Sequence, residues 1–341
     1  MDVVNKNILV TGGCGLIGST IVDQLLRMGT RRIVVLDNLV RGTMLNLERA
    51  MAGGRVEFVQ VDVRDFSRIR PLFEGIDAVF HQAAIRITLC AEQPRECLEV
   101  LIDGTFNVLQ ASVEAGVRKI VAASSASIYG MAEVFPTPED HHPYNNRTWY
   151  GAAKVANEGM LRSFKDMHGL DYVALRYFNV YGPRMDVFGK YTEVLIRWLD
   201  CLDSGESPQI LGDGSQTMDF VYSEDVARAN IVALLSDVSD EVFNVASGTE
   251  TSLRTLLDTL LQVTGHHAVR PIFLPARAVN PVPRRWANVS KASQLLGFRS
   301  TVALDEGLKR LVAWRRDVLA RGHRRAYEGV APAAIMQARD A

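Results

Sequence analysis

The sequence predicts an α/β protein: a doubly wound parallel sheet with a second, smaller α/β domain built from non-contiguous segments. Three observations predict it. A glycine-rich stretch, Thr11-Gly12-Gly13-Cys14-Gly15-Leu16-Ile17-Gly18, lies between an apolar run, Ile8-Leu9-Val10, and a segment where Ile17, Ile21, Val22, Leu25 and Leu26 recur at helical spacing. Short apolar runs then alternate with helical patterns as far as Arg176, as βαβ units do when a parallel sheet is covered on both faces. After Asn179 the texture changes, and Gly182-Pro183, Gly189, Gly205, Pro208, Gly212 and Gly214 punctuate short segments. At 341 residues the chain is also longer than one compact core usually holds.

The elements follow in order. The first strand runs into the glycine turn. The second, Arg32-Ile33-Val34-Val35-Leu36, ends at Asp37, nineteen residues after Gly18. A third is expected over 56–61, ending in Asp62-Val63, and a fourth over 77–80, leading into His81-Gln82-Ala83-Ala84. Residues 94–116 are expected to form one long helix, with Leu98, Leu101, Ile102, Thr105, Val108 and Leu109 along one side. A fifth strand is expected over 120–123, then a helix over 150–168 and a sixth strand over 172–176. Later, 241–246 reads as a strand, and 253–263 and 304–319 as amphipathic helices. The expected domain division is 1–179 with about 222–247 for the dinucleotide-binding (Rossmann) part, about 180–221 with 248–321 for the second domain, and a loosely held tail over 322–341.

In a doubly wound sheet the ligand crevice lies at the carboxyl ends of the strands, and the glycine turn, Asp37, Asp62, Ala83 and Ser125 all fall at such ends. Gly12 allows a tight turn, Gly15 lets backbone approach a pyrophosphate, and Gly18 lets helix and strand pack closely. The helix N-terminus then offers N–H groups to the phosphates. An acid at Asp37 can hold both ribose hydroxyls of NAD and repels the 2′-phosphate of NADP. Asp62 reads equally as an adenine contact or as a helix cap. The expected cofactor residues are Gly12, Gly15, Leu16, Ile17, Gly18, Asp37, Asn38, Asp62, Val63, Ala83, Tyr150, Lys154 and Tyr177.

Tyr150 and Lys154 stand at i and i+4, on one helix face. A phenol is a poor base at neutral pH, and a neighbouring ammonium favours its ionised form. The pair therefore suits removal of a proton from an alcohol. Ser125, at a strand end, can hold the same hydroxyl, which makes Ser125, Tyr150 and Lys154 the expected catalytic group. Arg86 follows the Ala83-Ala84 loop and reads equally as a sugar contact or as a surface ion pair.

Composition excludes several classes of function. With 38 Lys and Arg against 39 Asp and Glu, the formal charge is −1, which gives no support for a nucleic-acid or acidic-membrane partner. No apolar run approaches membrane-spanning length. The first strand begins so early that no signal peptide is expected, and a cytoplasmic location follows. Cys14, Cys90, Cys97 and Cys201 lack metal-type spacing and are expected to be reduced thiols. The adjacent pairs His141-His142 and His266-His267 point different ways on any regular element, so no metal site is expected.

The glycine stretch, Ser125 and Tyr150-x-x-x-Lys154 resemble the extended short-chain dehydrogenase/reductase family. Three further motifs resemble nucleotide-sugar 4-epimerases of the UDP-glucose 4-epimerase type. They are Ser124-Ser125-Ala126-Ser127-Ile128-Tyr129-Gly130, Leu175-Arg176-Tyr177-Phe178-Asn179-Val180-Tyr181-Gly182-Pro183-Arg184, and Gly212-Asp213-Gly214-Ser215-Gln216-Thr217 followed by Asp219-Phe220-Val221. The resemblance spans about residues 7–319. It implies permanently bound NAD, a UDP-hexose or UDP-hexuronic acid inverted at C4 through a 4-keto intermediate, the uronate carboxylate being a candidate partner of Arg86, and a homodimer formed through the Pro94 and Tyr150 helices. It implies substrate contacts from Asn179, beside those expected of Arg86, Ser125 and Ser127. Met218 departs from the pattern, because related epimerases carry a diphosphate-gripping arginine there. Arg184, Arg284 and Arg285 are the expected replacements. A 4,6-dehydratase or a 4-keto reductase are the alternative activities. Ala126 and Ser127 stand where a dehydratase carries acids, and Asp37 argues against NADPH.

Overall fold

The computed structural model describes residues 2–189, 192–276 and 282–321; the expected tail over 322–341 lies outside them. Six strands follow the predicted order: β1 (Asn7–Thr11), β2 (Arg32–Asp37), β3 (Val56–Gln60), β4 (Ala78–His81), β5 (Lys119–Ser125) and β6 (Asp171–Tyr177). Then come β7 (Asn179–Tyr181), β8 (Gln209–Leu211), β9 (Thr217–Tyr222), β10 (Glu241–Val245), β11 (Glu250–Ser252) and β12 (Ile272–Leu274). The main sheet is seven-stranded and parallel, in the order β10-β6-β5-β4-β1-β2-β3. The order reverses between β1 and β4, which opens the crevice at their carboxyl ends.

Nine helices position the site: α1 (Leu16–Arg27), α2 (Ile87–Glu92), α3 (Pro94–Leu98), α4 (Gly104–Glu114), α5 (Trp149–His168), α6 (Val194–Asp203), α7 (Ser223–Leu235), α8 (Leu253–Thr264) and α9 (Leu304–Ala320). The strand period of two splits the core. Ile8, Val10, Ile33 and Val35 pack with Ile21, Val22 and Leu25 of α1 and Val226 and Ile231 of α7. Leu9, Val34, Leu36 and Val79 face the other way, against Val108 and Leu109 of α4 and Leu161 and Phe164 of α5. A third cluster joins Trp198 and Leu199 of α6 to Leu256 and Leu260 of α8, Leu308 and Leu311 of α9, and Tyr181, Phe220 and Tyr222 from the three-stranded sheet β11-β9-β7.

Two expectations are corrected here. The single helix over 94–116 is interrupted by a π-helical turn, Glu99–Asp103. That turn delivers Gly104 against Val63, where an added Cβ would meet Val63 Cγ2 at 2.7 Å. Side-chain periodicity carries no trace of such an extra residue. Cys90 and Cys97 are joined in a disulfide, not reduced. Seven residues along one helix would separate them by about 10 Å. The chain breaks instead at Gln93 (φ −130°, ψ 72°), between α2 and α3, and brings their Cα atoms to 4.8 Å. Cys14 and Cys201 form no disulfide. Among the described residues no helix is long and apolar enough to cross a membrane.

Candidate active site

At the dinucleotide end, backbone contact dictates the glycines. Gly12 has φ +66°, and a Cβ there would lie 2.7 Å from the Ala83 nitrogen. At Gly18 a Cβ would fall on the Gly12 carbonyl oxygen and 2.7 Å from Gly13 Cα. Gly15 caps α1 in an extended conformation with no side-chain hydrogen bond, so the first turn's N–H groups face the cavity without a built-in acceptor. Thr11 Oγ1 accepts from the Gln82 and Ala83 nitrogens, both at 3.2 Å, and pairs with His81 Nδ1 at 2.8 Å. With both acceptor directions filled, that hydroxyl donates to Nδ1. His81 is then the neutral Nε2–H tautomer, donating to Thr105 Oγ1 at 3.0 Å. Burial, with Lys154 nearby, pushes its pKa down to about 3.

Asp37 is buried at the end of β2, where its carboxylate accepts from the Cys14 nitrogen at 2.9 Å and the Leu39 nitrogen at 2.8 Å. It lines the cavity with Asn38, Val63, Ala83 and Tyr177. Asp62 does not. Its carboxylate accepts from Arg64 and from Asn38 Nδ2 at 2.9 Å; burial raises its pKa, but these bonds outweigh that and hold it at about 2. The cap of the next turn is Asp65, which corrects the helix-cap expectation for Asp62.

At the other end, α5 starts directly against the β5 terminus. Thr148 Oγ1 accepts from the Gly151 nitrogen at 3.0 Å, and a Cβ at Gly151 would come within 2.6 Å of the Ser127 carbonyl oxygen. Tyr150 is thereby set beside Ser125 in the cavity, and Ser125 Oγ accepts from the Ser127 nitrogen at 3.1 Å. Burial raises the Tyr150 pKa; the neighbouring Ser125 hydroxyl and the charges of Arg41 and Arg285 oppose the rise. The cation predicted for this work was Lys154. Its Nζ donates to the Ala123 carbonyl at 2.8 Å and lies 5.8 Å from the Tyr150 ring centre. Burial pushes Lys154 down to about 8 against the attraction of Glu158.

One cavity of about 800 Å³ holds the glycine turn, Asp37, Ser125, Ser127, Tyr150, Lys154 and Asn179. Its arginines are Arg41, Arg86, Arg184 and Arg197. Arg86 Nη2 pairs with Glu193 Oε1 at 2.7 Å, and Arg184 Nη2 with Asp23 Oδ2 at 2.6 Å. Arg284 is not in the cavity; it pairs with Glu250 at 2.6 Å and stacks on Phe135. Arg285 is also outside the lining. Its Nε has no hydrogen-bond partner among the described residues, and burial lowers its pKa to about 10 against the attraction of Tyr150. The bridge between Thr217 and Arg284 explains the split, since successive side chains on extended backbone point to opposite faces. Met218 packs toward the third apolar cluster. Arg41, Glu193 and Arg197 escaped the sequence reading. The 3–4 spacing of Leu195, Trp198, Leu199 and Leu202 would have revealed α6, and with it Arg197 on the helix's other side.

A model of the NAD dependent epimerase/dehydratase family matches residues 8–246. This chain belongs to that family. Its cofactor is NAD. A UDP-glucose 4-epimerase of Mycolicibacterium smegmatis is 36% identical over 312 residues, covering 91% of this chain and 98% of that protein. A UDP-N-acetyl-alpha-D-glucosaminuronate decarboxylase of Bacillus cytotoxicus is 30% identical over 325 residues, covering 92% and 99%. The crystal structure of the Thermotoga maritima UDP-glucose 4-epimerase with UDP-glucose superposes with a TM-score of 0.86 at 36% identity, covering 92% of this chain and 99% of that one.

The residues present fit NAD. The uncapped α1 N-terminus and the close approach at Gly12 suit a pyrophosphate, and the buried Asp37 carboxylate suits a ribose diol. Among the described residues no group of three or more His, Cys, Asp or Glu side chains is placed to hold a metal ion.

Proposed function

We propose that this protein is an NAD-dependent UDP-sugar 4-epimerase that inverts C4 of a UDP-hexose through a transient 4-keto sugar. One observation carries the reading: Tyr150 and Ser125 stand together in the cavity that also holds the glycine turn and Asp37, and no acid follows Ser125. Tyr150, as phenolate, takes the proton of the C4 hydroxyl while Ser125 holds that hydroxyl in place. Arg41 and Arg285 favour the phenolate. NAD, bound by Gly12, Gly15, Leu16, Ile17, Gly18, Asp37 and Asn38 and reached by Ala83, Tyr177 and Lys154, supplies the reversible two-electron oxidation at C4. Tyr150 returns the proton once the keto sugar has presented its other face. Asn179, Arg184 and Arg197 are the cavity groups suited to the diphosphate, which is costly to bury without cations.

A 4,6-dehydratase must also expel a hydroxyl, and Ala126 and Ser127 offer no acid for it at the strand end. The homodimer is proposed through α3, α4 and α5, where Phe106 is 45% exposed beside Phe164, their rings 5.6 Å apart. The test is a panel of UDP-sugars with product separation for the wild type and Tyr150→Phe. Interconversion of C4 epimers, lost by about 10²–10⁴-fold in the variant with NAD still bound, is the expected result. Release of CO₂ or a 4-keto-6-deoxy product as the main outcome overturns the reading.

A further inference from the structure

Three buried polar atoms in the cavity lack partners among the described residues: Arg86 Nε, Thr88 Oγ1 and Glu193 Oε2. All three residues line the space that holds Ser125 and Tyr150. Arg86 starts α2 from the β4 side of the crevice, and Glu193 starts α6 from the other side, so their 2.7 Å pair bridges it. Arg41 Nη2 stands 3.9 Å from the same Glu193 oxygen. The phenol of Tyr150 and Asp186 both act on the charge of Arg41, which places the cluster within electrostatic reach of the base. Counted together, two guanidinium groups face two carboxylates, and the cluster is neutral.

We propose that the Arg86–Glu193 pair, with Thr88, is the sugar-reading subsite of this enzyme and selects an uncharged hexose against a hexuronic acid. The inference rests on the epimerase reading and names its substrate class. The unmet groups are one donor (Arg86 N–H), one acceptor (Glu193 Oε2) and one hydroxyl that can be either (Thr88). A sugar hydroxyl or an N-acetyl amide, being donor and acceptor at once, completes all three. A uronate carboxylate only accepts. It would stand beside Glu193 and compete with it for Arg86, and like charges brought together out of water are strongly disfavoured. A lone arginine after the Ala83-Ala84 loop suggests a carboxylate reader; the partner contributed by α6 reverses that preference.

The experiment measures kcat/KM for UDP-glucose, UDP-N-acetylglucosamine and UDP-glucuronate, and binding of UDP alone, in the wild type, Glu193→Gln and Arg86→Leu. The wild type should favour the better neutral sugar over UDP-glucuronate by about 100-fold or more. Glu193→Gln should narrow that ratio about tenfold or more by improving the uronate. Arg86→Leu, which leaves Glu193 only the more distant Arg41, should widen it. UDP affinity should stay within about threefold throughout. A wild type that prefers the uronate, a ratio unmoved in Glu193→Gln, or a gain in UDP affinity equal to the gain in uronate overturns the subsite; the last result would place the pair at the diphosphate. If the glutamine variant does not fold, a ratio that fails to widen in Arg86→Leu overturns it alone. Wild-type failure to epimerise any UDP-hexose rejects the reaction instead, and competition of UDP-glucuronate against UDP-glucose for binding then still reads the pair.

Discussion

Replacing Lys154 with methionine should abolish turnover and yet stabilise the folded protein at neutral pH. The side chain is 2% exposed, and burial lowers its pKa from 10.5 to about 8. Since tenfold in a proton equilibrium is about 1.4 kcal/mol, holding the ammonium charged in the fold costs about 3 kcal/mol below pH 8. Methionine fills similar volume without charge but leaves the Ala123 carbonyl unpaired, which returns about 1–2 kcal/mol. The net gain at pH 7 is about 1–2 kcal/mol. Its sign with pH follows from linkage. The folded protein releases the lysine proton near pH 8 and the unfolded chain only near 10.5, so between them the unfolded chain binds more protons. Wild-type stability therefore rises relative to the variant across that window, and the advantage of methionine vanishes at its upper end. Urea midpoints of the two proteins, both freed of cofactor, measured at neutral pH and again near 10, read this directly. A variant less stable at neutral pH, or a gap independent of pH, refutes the argument that the lysine is held at the expense of stability.

The two adjacent arginines should separate. Arg284→Ala loses a half-exposed pair and should leave the urea midpoint and the kinetics unchanged. Arg285→Ala removes a charge that favours the Tyr150 phenolate, so the acidic limb of the kcat/KM profile should move to higher pH while UDP inhibition stays constant; a raised KM without a shift of the limb would instead put Arg285 on the diphosphate. Gly18→Ala forces a methyl into the Gly12–Gly13 backbone, and a loss of about 1–3 kcal/mol in unfolding free energy together with NAD missing from the purified protein is expected; a variant that retains NAD at wild-type stability would show that the turn yields.

Much of this fold was legible because its determinants are local. Alternating apolar runs and helical patterns depend only on a side chain's position along its own element, and six strands of the main sheet appear in the order read. The glycine turn, Asp37, and the Ser125, Tyr150 and Lys154 group were likewise legible, because backbone close approach and strand-end position constrain residue type directly. The one helix expected over 94–116 failed on a π-helical turn, which leaves almost no compositional mark.

What the tertiary structure alone decided was the choice of partner for each charge. Arg86 is paired with Glu193, 107 residues away, and Asp62 with Arg64 and Asn38. Arg284 and Arg285 are neighbours in the chain, yet one lies against Glu250 and the other near Tyr150. The Lys154 ammonium, 5.8 Å from the Tyr150 ring centre, takes the Ala123 carbonyl as its acceptor. The physical reason is one of range. Periodicity and turn geometry are fixed by neighbours along the chain, whereas a buried charge takes whichever acceptor the packing of distant segments brings within about 3 Å, and its desolvation makes that choice decisive.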